Sequence, residues 1–437
     1  MANRRVFHTK SSVATIPQFD LWGLPPTQVS VEEDVVTEYY PVAPVSDNSP
    51  LEFVFKTGVD EYLNFNEMYL YLKCQAKLDK GRAILSDTDW NNVQPVQYLL
   101  HSLFNKVDVT IGGKVVTQSP QLYHYKSYLE ALLSFSDDAK KSYMSASLWT
   151  QKPEDRRKAI KPKDGTKEEG KEFEMMGRLH LDFTYTGKFL IGGVEVRIKL
   201  NREDPKFFIY TEDPSKKPEI MIKEAVLVVH KSKATRMLLE GHQAAHAVAP
   251  CVYPITRSEI TFKTILQGSP DAPLDNILIG EMPRRMFVML VSSAAFNGDY
   301  RKDPFEFQHY NVTQMSAFID GTQYPKQAYT PNFDTDMYTK VYMGLYQALN
   351  QNLTDSHAQI SYEEFKKNNS IFAFNFSPDL SDGPGMAGHV SPKQDGTLRL
   401  YIRFKNAFEE AINVLMYMEF DSYIEIHQNR AVTTSYN

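Results

Sequence analysis

Two histidines four residues apart are the part of this sequence closest to a catalytic motif. His242 and His246 have the i, i+4 spacing that places two zinc ligands on one face of a helix. In zinc hydrolases of that type a glutamate follows the first histidine and acts as general base, whereas this chain has Gln243 there. We therefore interpret the pair as part of a polar helix or loop surface, with no metal bound.

Other sequence signatures of catalysis or cofactor binding are missing. The chain has no Cys-x-x-Cys pair, no Gly-x-x-x-x-Gly-Lys-Ser/Thr loop and no Gly-x-Ser-x-Gly nucleophile elbow. Asp334, Asp336 and Asp379 stand in turn-rich segments without the spacing of a calcium loop. The sequence therefore predicts a protein that is not an enzyme and binds no cofactor and no metal.

Charge and cysteine usage narrow the class further. The 48 Lys and Arg against 54 Asp and Glu give a net charge of −6, which argues against an extended nucleic-acid groove because such a groove needs positive charge. The two cysteines, Cys74 and Cys251, are too few for a disulfide framework. We expect reduced thiols inside a cell, with a single bridge between them as the alternative. No apolar run approaches the roughly 18 residues of a membrane helix, and none resembles a signal peptide.

The elements that must position any site are mostly strands, and their pattern occurs twice along the chain. Superposing Gly113 on Gly321, each in a predicted hairpin turn, gives an offset of 208 (321 − 113). Superposing Leu200 on Phe404 gives a similar offset of 204 (404 − 200). The predicted strand at 260–263 is matched to the one that begins at Leu51. The near-constant offset favours a duplicated domain.

We predict an all-β fold of two tandem jelly-roll β-sandwich domains, a double jelly roll with short helices in the loops. The predicted parts are an extended N-terminal arm at 1–35, a first jelly roll at 36–233 and a second at 234–437. Apolar residues at helical spacing predict short helices at 125–135 and 338–349. The mixed-charge stretch 151–172 is predicted to be a long solvated loop.

Several short segments, spread over nearly the whole chain, carry a family resemblance. They are 20–22, 25–28, 99–104 running into 107–116, 125–130, 177–180, 295–298, 304–305, 372–374 and 377–380. In this order they resemble the double jelly-roll major capsid proteins of Polinton/Maverick elements and adintoviruses. The stretch 151–172 has no counterpart that we can place in that family.

The resemblance implies a structural subunit of a virion. It implies homotrimers, each a pseudo-hexameric capsomer of an icosahedral DNA-virus shell, with penton and minor capsid proteins as further partners. It implies a location in the virion capsid after assembly inside the host cell, and a DNA-element relative suggests the nucleus for that assembly. Two similar domains in one chain fit this independently, because a three-fold ring of such chains presents six similar edges.

Two surfaces are candidate subunit contacts. One is the arm, through Trp22 and Leu24, whose apolar side chains need a partner; they could instead pack on the arm's own domain. The other is the aromatic helix of the second half, through Tyr338, Tyr342 and Tyr346. Ordinary core packing is the alternative for both surfaces, and it is the stronger alternative for the helix.

The basic tip of the arm is a candidate contact with packaged DNA. Arg4, Arg5 and Lys10 precede the first acidic residue, Asp20, and could make a weak, sequence-independent electrostatic contact. A solvated tip is the alternative, since three charges are few.

Two other function classes stay open from the sequence alone. The first is a tandem β-sandwich protein that binds carbohydrate or another ligand, which would need an aromatic-lined pocket. The second is a cupin-like enzyme, which would need His and Glu ligands converging inside a barrel. The sequence offers no such ligands at suitable spacing.

Overall fold

The protein is seen in a computed structural model that describes most of the chain. The described residues are 10–11, 14–46, 49–79, 85–117, 122–150, 152–352, 358–380 and 389–436. The strands of the first half are β1 Val31–Tyr39, β2 Leu51–Lys56, β3 Glu61–Lys77, β4 Val93–Pro95, β5 Phe104–Ile111, β6 Lys114–Val115, β7 Glu169–Arg178, β8 Glu195–Arg202, β9 Ile209–Thr211 and β10 Glu219–Ala234. Those of the second half are β11 Cys251–Ile265, β12 Asp271–Glu281, β13 Arg285–Ser292, β14 Val312–Ile319, β15 Thr322–Tyr329, β16 Ile371–Asn375, β17 Asp395–Phe404, β18 Ile412–Ile426 and β19 Val432–Thr434.

Each half forms two antiparallel sheets, and the two halves share one topology. The first half has the strand orders β1-β10-β3-β7 and β2-β8-β5-β6, and the second has β11-β18-β13-β16 and β12-β17-β14-β15. Numbered 1 to 8 within each half, the main strands give the same two orders, 1-8-3-6 and 2-7-4-5. This is the order of a jelly roll, so the predicted double jelly roll is confirmed.

Two tight hairpins are the clearest equivalent positions of the halves. Gly112 and Gly113, between β5 and β6, have φ of 56° and 80°. Asp320 and Gly321, between β14 and β15, have φ of 47° and 84°. Positive φ at both central residues is what a type I′ hairpin turn requires. The predicted match of Gly113 with Gly321 is therefore confirmed.

The second predicted offset is wrong by two residues. Val107 pairs with Leu200 in the first half, and Met315 pairs with Ile402 in the second. Because Met315 follows Val107 by the hairpin offset of 208, Leu200 corresponds to Ile402 and not to Phe404. A slip of two residues keeps every side chain on the same face of a strand, so the alternation pattern could not reveal it.

The predicted counterpart of the Leu51 strand is also wrong. The segment 260–263 lies in β11, which pairs with β18 as β1 pairs with β10. The true counterpart of β2 is β12, whose register is broken between Leu274 and Leu278. This irregularity interrupts the alternation by which the sequence could have revealed the strand.

The helices are short and lie between strands. They are α1 Asp87–Asn91, α2 Leu99–Ser102, α3 Tyr123–Ser134, α4 Asp137–Lys141, α5 Pro153–Ile160, α6 Pro205–Phe208, α7 Arg236–His246, α8 Ser293–Phe296, α9 Thr339–Ala348 and α10 Tyr362–Lys367. Single 3-10 turns occur at Pro17–Phe19, Tyr143–Ser147, Asp182–Tyr185, Pro214–Lys216 and Phe333–Thr335. The helices predicted at 125–135 and 338–349 are confirmed as α3 and α9.

The stretch 151–172 is not the solvated loop that its charges predicted. It contains α5, and β7 begins inside it. Pro153 stands in the first turn of α5, where a missing N–H removes no helical hydrogen bond. Arg156 and Ile160, one turn apart, are both buried. One buried stripe on an otherwise charged segment is enough to hold a helix against the body.

One core of buried apolar side chains runs through both halves. The end of the chain also connects them. The Tyr436 hydroxyl donates a 2.8 Å hydrogen bond to the carbonyl of Val116, beside the first-half hairpin. The Arg430 carbonyl lies so close to Gly112 that a Cβ there would sit 2.8 Å away. Helix α7 lies between β10 and β11, and the predicted domain boundary at 233/234 stays a prediction.

Candidate functional site

Residues 14–27 of the N-terminal arm are exposed, with their apolar side chains in solvent, whereas the last residues of the predicted arm 1–35 belong to β1, which begins at Val31. Trp22 is 87% exposed and Leu24 is 92% exposed, and Phe19 and Leu21 are also largely exposed. A hydrogen bond of 2.8 Å from the Gly23 N–H to Asp20 Oδ1 shapes the turn between them. Within one chain, then, these side chains do not pack on their own domain. Their contact with a neighbouring subunit stays a prediction.

The arm is anchored where the two halves meet. The N–H of Thr235, just before α7, donates to the carbonyl of Ser30 at 3.0 Å, and its hydroxyl donates to the carbonyl of Val29 at 2.9 Å. The Gln28 side chain accepts the Val31 N–H at 2.9 Å. These hydrogen bonds therefore fix the course of the backbone from Gln28 onward. The exposed apolar part of the arm precedes Gln28 in the sequence.

The three tyrosines of the aromatic helix bind a segment of their own chain. The Tyr338 hydroxyl donates to the Tyr362 carbonyl at 2.9 Å. The hydroxyls of Tyr342 and Tyr346 both donate to the Ile360 carbonyl, at 2.9 and 2.8 Å. Tyr338 and Tyr346 are buried, so this placement favours the core-packing alternative. Their role as subunit contacts stays a prediction.

A buried polar network joins helix α3 to the second half. Lys126 forms an ion pair with Asp182, and the Ser258 hydroxyl, on β11, donates to Asp182 at 2.9 Å. Glu130, one turn further along α3, lies 2.9 Å from His180 Nδ1 and also accepts from Ser258. Charges inside a protein persist only when they are paired, and here each is paired.

The pKa values in this network reflect that pairing. Burial alone would raise the pKa of Glu130, but Lys126, His180 and Ser258 outweigh it and hold that pKa below its ordinary value. Burial would likewise lower the pKa of Lys126, but Asp182 and Glu130 outweigh it and raise that pKa. Lys126 and Glu130 are therefore both charged at neutral pH, and the ion pairs of this network are formed at that pH.

Aromatic rings extend the same junction. Tyr128 of α3 stacks on Phe305 of the second half with ring centroids 4.1 Å apart. Tyr125 lies 5.8 Å from Phe296 and 5.6 Å from Phe305. Stacked and edge-on ring pairs at these distances add stability beyond the area that they bury. Helix α3, polar on one side and aromatic on the other, thus forms part of the contact between the two jelly rolls.

A cavity lies at the anchor of the arm, and helix α7 forms one of its walls. Its volume is about 570 Å³. His242 and His246 both line it, as the i, i+4 spacing on a helix requires. His242 Nδ1 is 2.8 Å from the Tyr62 hydroxyl, and His246 Nδ1 is 3.4 Å from Cys251 Sγ. The described part of the chain contains no cluster of three His, Cys, Asp or Glu side chains that could hold a metal ion.

The structure describes only part of the basic tip of the arm. Arg4 and Arg5 lie outside the described residues, and Lys10 is described and exposed. Contact of the tip with DNA stays a prediction. Among the helices of the described ranges, none has the length and hydropathy to span a bilayer.

Sequence reasoning missed the junction network and the cavity at α7. No role was assigned to Lys126, Glu130 or Asp182, because the contacts that join the two halves connect residues far apart in sequence. The available signal was the position of Lys126 and Glu130 on the same helix as the apolar residues of α3, where a buried face has little room for a solvated charge. The cavity had a weaker signal, since it forms between the arm and five other segments.

Sequence comparison does not identify a family, because no family model matches the sequence. An uncharacterized protein of Caenorhabditis elegans is 24% identical over 345 residues, which cover 76% of this chain and 81% of that protein.

Solved structures of viral capsids share the whole architecture. A chain of the Sputnik virophage matches with a TM-score of 0.65 at 10% identity, over 99% of this chain and 94% of that one. The major capsid protein of mavirus matches with a TM-score of 0.58 at 10% identity, over 99% and 97% of the two chains. The Faustovirus major capsid protein matches with a TM-score of 0.59 at 9% identity, over 92% and 91%. The chain thus has the double jelly-roll fold of viral major capsid proteins, as the resemblance implied.

Proposed function

We propose that this protein is a major capsid protein, a structural subunit that forms homotrimeric, pseudo-hexameric capsomers of an icosahedral DNA-virus shell. The observation that carries the proposal is the repeat of one jelly-roll topology twice in a single chain. The buried junction at α3 holds the two rolls together, so that three chains in a ring present six similar edges. The likeness to capsid proteins over more than nine-tenths of the chain supports the same conclusion.

The proposal extends to partners and place. A shell of such capsomers needs penton and minor capsid proteins at its vertices and seams, and it is assembled inside the host cell. The protein is then not an enzyme. The exposed arm, through Trp22 and Leu24, is the proposed contact between copies. Any contact of the basic tip with packaged DNA is weak and independent of base sequence.

The shape and mass of the purified assembly test the proposal. We expect light scattering to give three times the chain mass of 50.1 kDa, and negative-stain microscopy to show particles with a hexagonal outline. Obligate interfaces usually bury more than about 2,000 Å², so trimers should survive dilution to micromolar concentrations. Monodisperse monomers at high concentration would overturn the proposal.

A second candidate function, carbohydrate binding, is favoured by one cavity. This cavity, of about 380 Å³, is lined by Tyr69, Tyr143 and Tyr185, and the Arg178 guanidinium lies 4.4 Å from the Tyr185 ring. Exposed aromatic faces beside a cation are suited to stacking against a sugar ring that carries a negative charge. A glycan array tests this, with Tyr143→Ala as the variant that should lose binding. Binding by monomers with no trimers would favour this function over the capsid.

A further inference from the structure

The N-terminal arm and the cavity beside α7 are two unsatisfied surfaces of one chain. The arm exposes four large apolar side chains within six residues: Phe19, Leu21, Trp22 and Leu24. The cavity is lined mostly by apolar atoms, and the apolar residues Phe189 and Val252 at its wall are 41% and 40% exposed. Large apolar patches that face water generally mark a contact site.

From these surfaces we propose that the α7 cavity is the receptor for the N-terminal arm of a second copy of this chain. The proposal rests on the proposed function, since it names the surface through which copies contact each other. Trp22 and Leu24 enter the cavity, and the carboxylate of Asp20 stays at its mouth. Each copy then donates one arm and accepts one, and three such head-to-tail contacts close the ring.

Size and charge agree with this occupant. A volume of about 570 Å³ lies within the range of about 300–1,000 Å³ that pockets for organic ligands have. The lining contains the cation Lys188 and the two histidines of α7, and no carboxylate is among the described residues that form it. The arm offers the complementary set, apolar side chains next to the carboxylate of Asp20.

The position of the cavity also agrees. Ser30 and Val31, where the arm leaves the body, line the cavity, whereas residues 16–24 of the same chain do not. The Thr235 hydrogen bonds fix the arm at that rim, and the apolar side chains of the arm are exposed to solvent. A neighbouring chain in a ring therefore meets an open cavity and an outstretched arm at each contact.

A native cysteine makes the contact testable. Cys251 lines the cavity and is a thiol in the structure. We expect Leu24→Cys, oxidised in the full-length trimer, to give disulfide-linked species of two and three chain masses on a non-reducing gel. The same bands should vanish when Cys251→Ser is added. Leu266→Cys is the matched control, because Leu266 is 72% exposed at the far end of β11, and it should give no such bands.

Three results of this experiment would overturn the proposal. Trimers without linked bands would show that the arm docks elsewhere, while leaving the capsid function standing. Consumption of the Cys251 thiol with no gain in mass would show that a chain's own arm fills the cavity. Linked ladders that continue beyond three chains would show that the contact does not close a ring. Monomers in light scattering would instead remove the proposed function together with this contact.

Fluorescence quenching gives a second test that needs no new cysteine. Of the three tryptophans, Trp90 and Trp149 are buried, so iodide reaches mainly Trp22. We expect Trp22 to be protected in the trimer and Ala245→Arg, in the cavity wall, to raise its quenching constant several-fold. Ala244→Arg is the matched control, since Ala244 is the preceding residue of α7 and does not line the cavity. Equal quenching in both variants would overturn the proposal.

Discussion

Helices α3 and α9 occupy equivalent positions in the two jelly rolls, after the hairpin and before the sixth main strand, yet their surroundings are opposite. Helix α3 is almost completely buried, including His124, Lys126 and Ser127. Helix α9 packs on β16 with one face and keeps Lys340 and Met343 exposed on the other. One copy of the repeated element became the junction between the rolls, and the other stayed a peripheral helix.

The contrast between α3 and α9 shows how the two copies of a duplicated fold are joined. The strand order is the same in both halves, so topology alone does not distinguish them. The distinction lies in the polar side chains Lys126 and Glu130 of α3, whose partners Asp182 and Ser258 come from the first and the second half. Substitutions at equivalent places in the two rolls should therefore have unequal effects.

The largest effect is expected from Lys126→Met. The substitution leaves the Asp182 carboxylate buried without its cation, and breaking a buried pair in this way costs about 3–5 kcal/mol of unfolding free energy. The free energy is measured by urea unfolding followed by circular dichroism. Lys340→Met on α9 is the matched control and should stay within about 0.5 kcal/mol of the wild type.

The double variant Lys126→Met with Asp182→Leu sharpens that test. It removes both charges, and replacing a buried ion pair by apolar residues is often close to neutral. We therefore expect it to recover a large part of the loss. If Lys126→Met and Lys340→Met had the same effect, the contrast between α3 and α9 would be wrong.

Smaller effects are expected in the two hairpins. Gly113→Ala and Gly321→Ala should each lower the unfolding free energy by about 1–2 kcal/mol, because both residues have positive φ, which alanine adopts only with strain. No steric clash adds to this cost, since a new Cβ would have no other atom within 4 Å. Gly112→Ala should cost more, since its Cβ would meet the Arg430 carbonyl. Urea unfolding measures all three. Equal costs at Gly112 and Gly113 would mean that the end of the chain does not hold this contact in solution.

Acid should act on the first roll through a buried histidine. Burial, and then the nearby His180, lower the pKa of His101 well below its ordinary value of about 6.5. The unfolded chain therefore binds the proton more readily. This contribution to stability is complete above about pH 6.5 and is lost as the pH falls below it, by at most about 1.4 kcal/mol per pH unit.

The pH dependence is checked by melting curves between pH 7.5 and 5.5. We expect His101→Gln to flatten the loss of stability without abolishing it, because burial also lowers the pKa of His124. His427→Gln, in the turn before β19, is the control and should keep the wild-type slope. An unchanged slope in His101→Gln would count against the buried position of its ring.

The smallest effect is expected at Met343, an exposed apolar residue of α9. Met343→Glu should change the unfolding free energy by less than about 0.5 kcal/mol and leave trimers intact, because the tyrosines of this helix bind their own chain. Light scattering measures the trimers. Their loss would restore the aromatic helix as a subunit contact.

The sequence predicted what local patterns determine. The hairpins followed from Gly112-Gly113 and Asp320-Gly321, and α3 and α9 followed from apolar residues at helical spacing. The match of Leu200 with Ile402 in place of Phe404 could not be predicted, because side chains two residues apart lie on the same face of a strand. The pairing of Lys126 with Asp182 could not be predicted either, since no local rule connects residues 56 positions apart. In the arm, the sequence left two alternatives for Trp22, packing on its own domain or docking on a neighbouring subunit. The fold shows that the side chain is exposed within one chain, and the docking stays a prediction.

The hydrogen bond from Tyr436 to Val116 has a consequence for how the protein is made. Val116 leaves the ribosome about 320 residues before its partner, which at about 5–20 residues per second is on the order of tens of seconds. The first roll therefore cannot make this hydrogen bond until Tyr436 has been synthesised. A chain truncated before Tyr436 would leave the Val116 carbonyl without this donor.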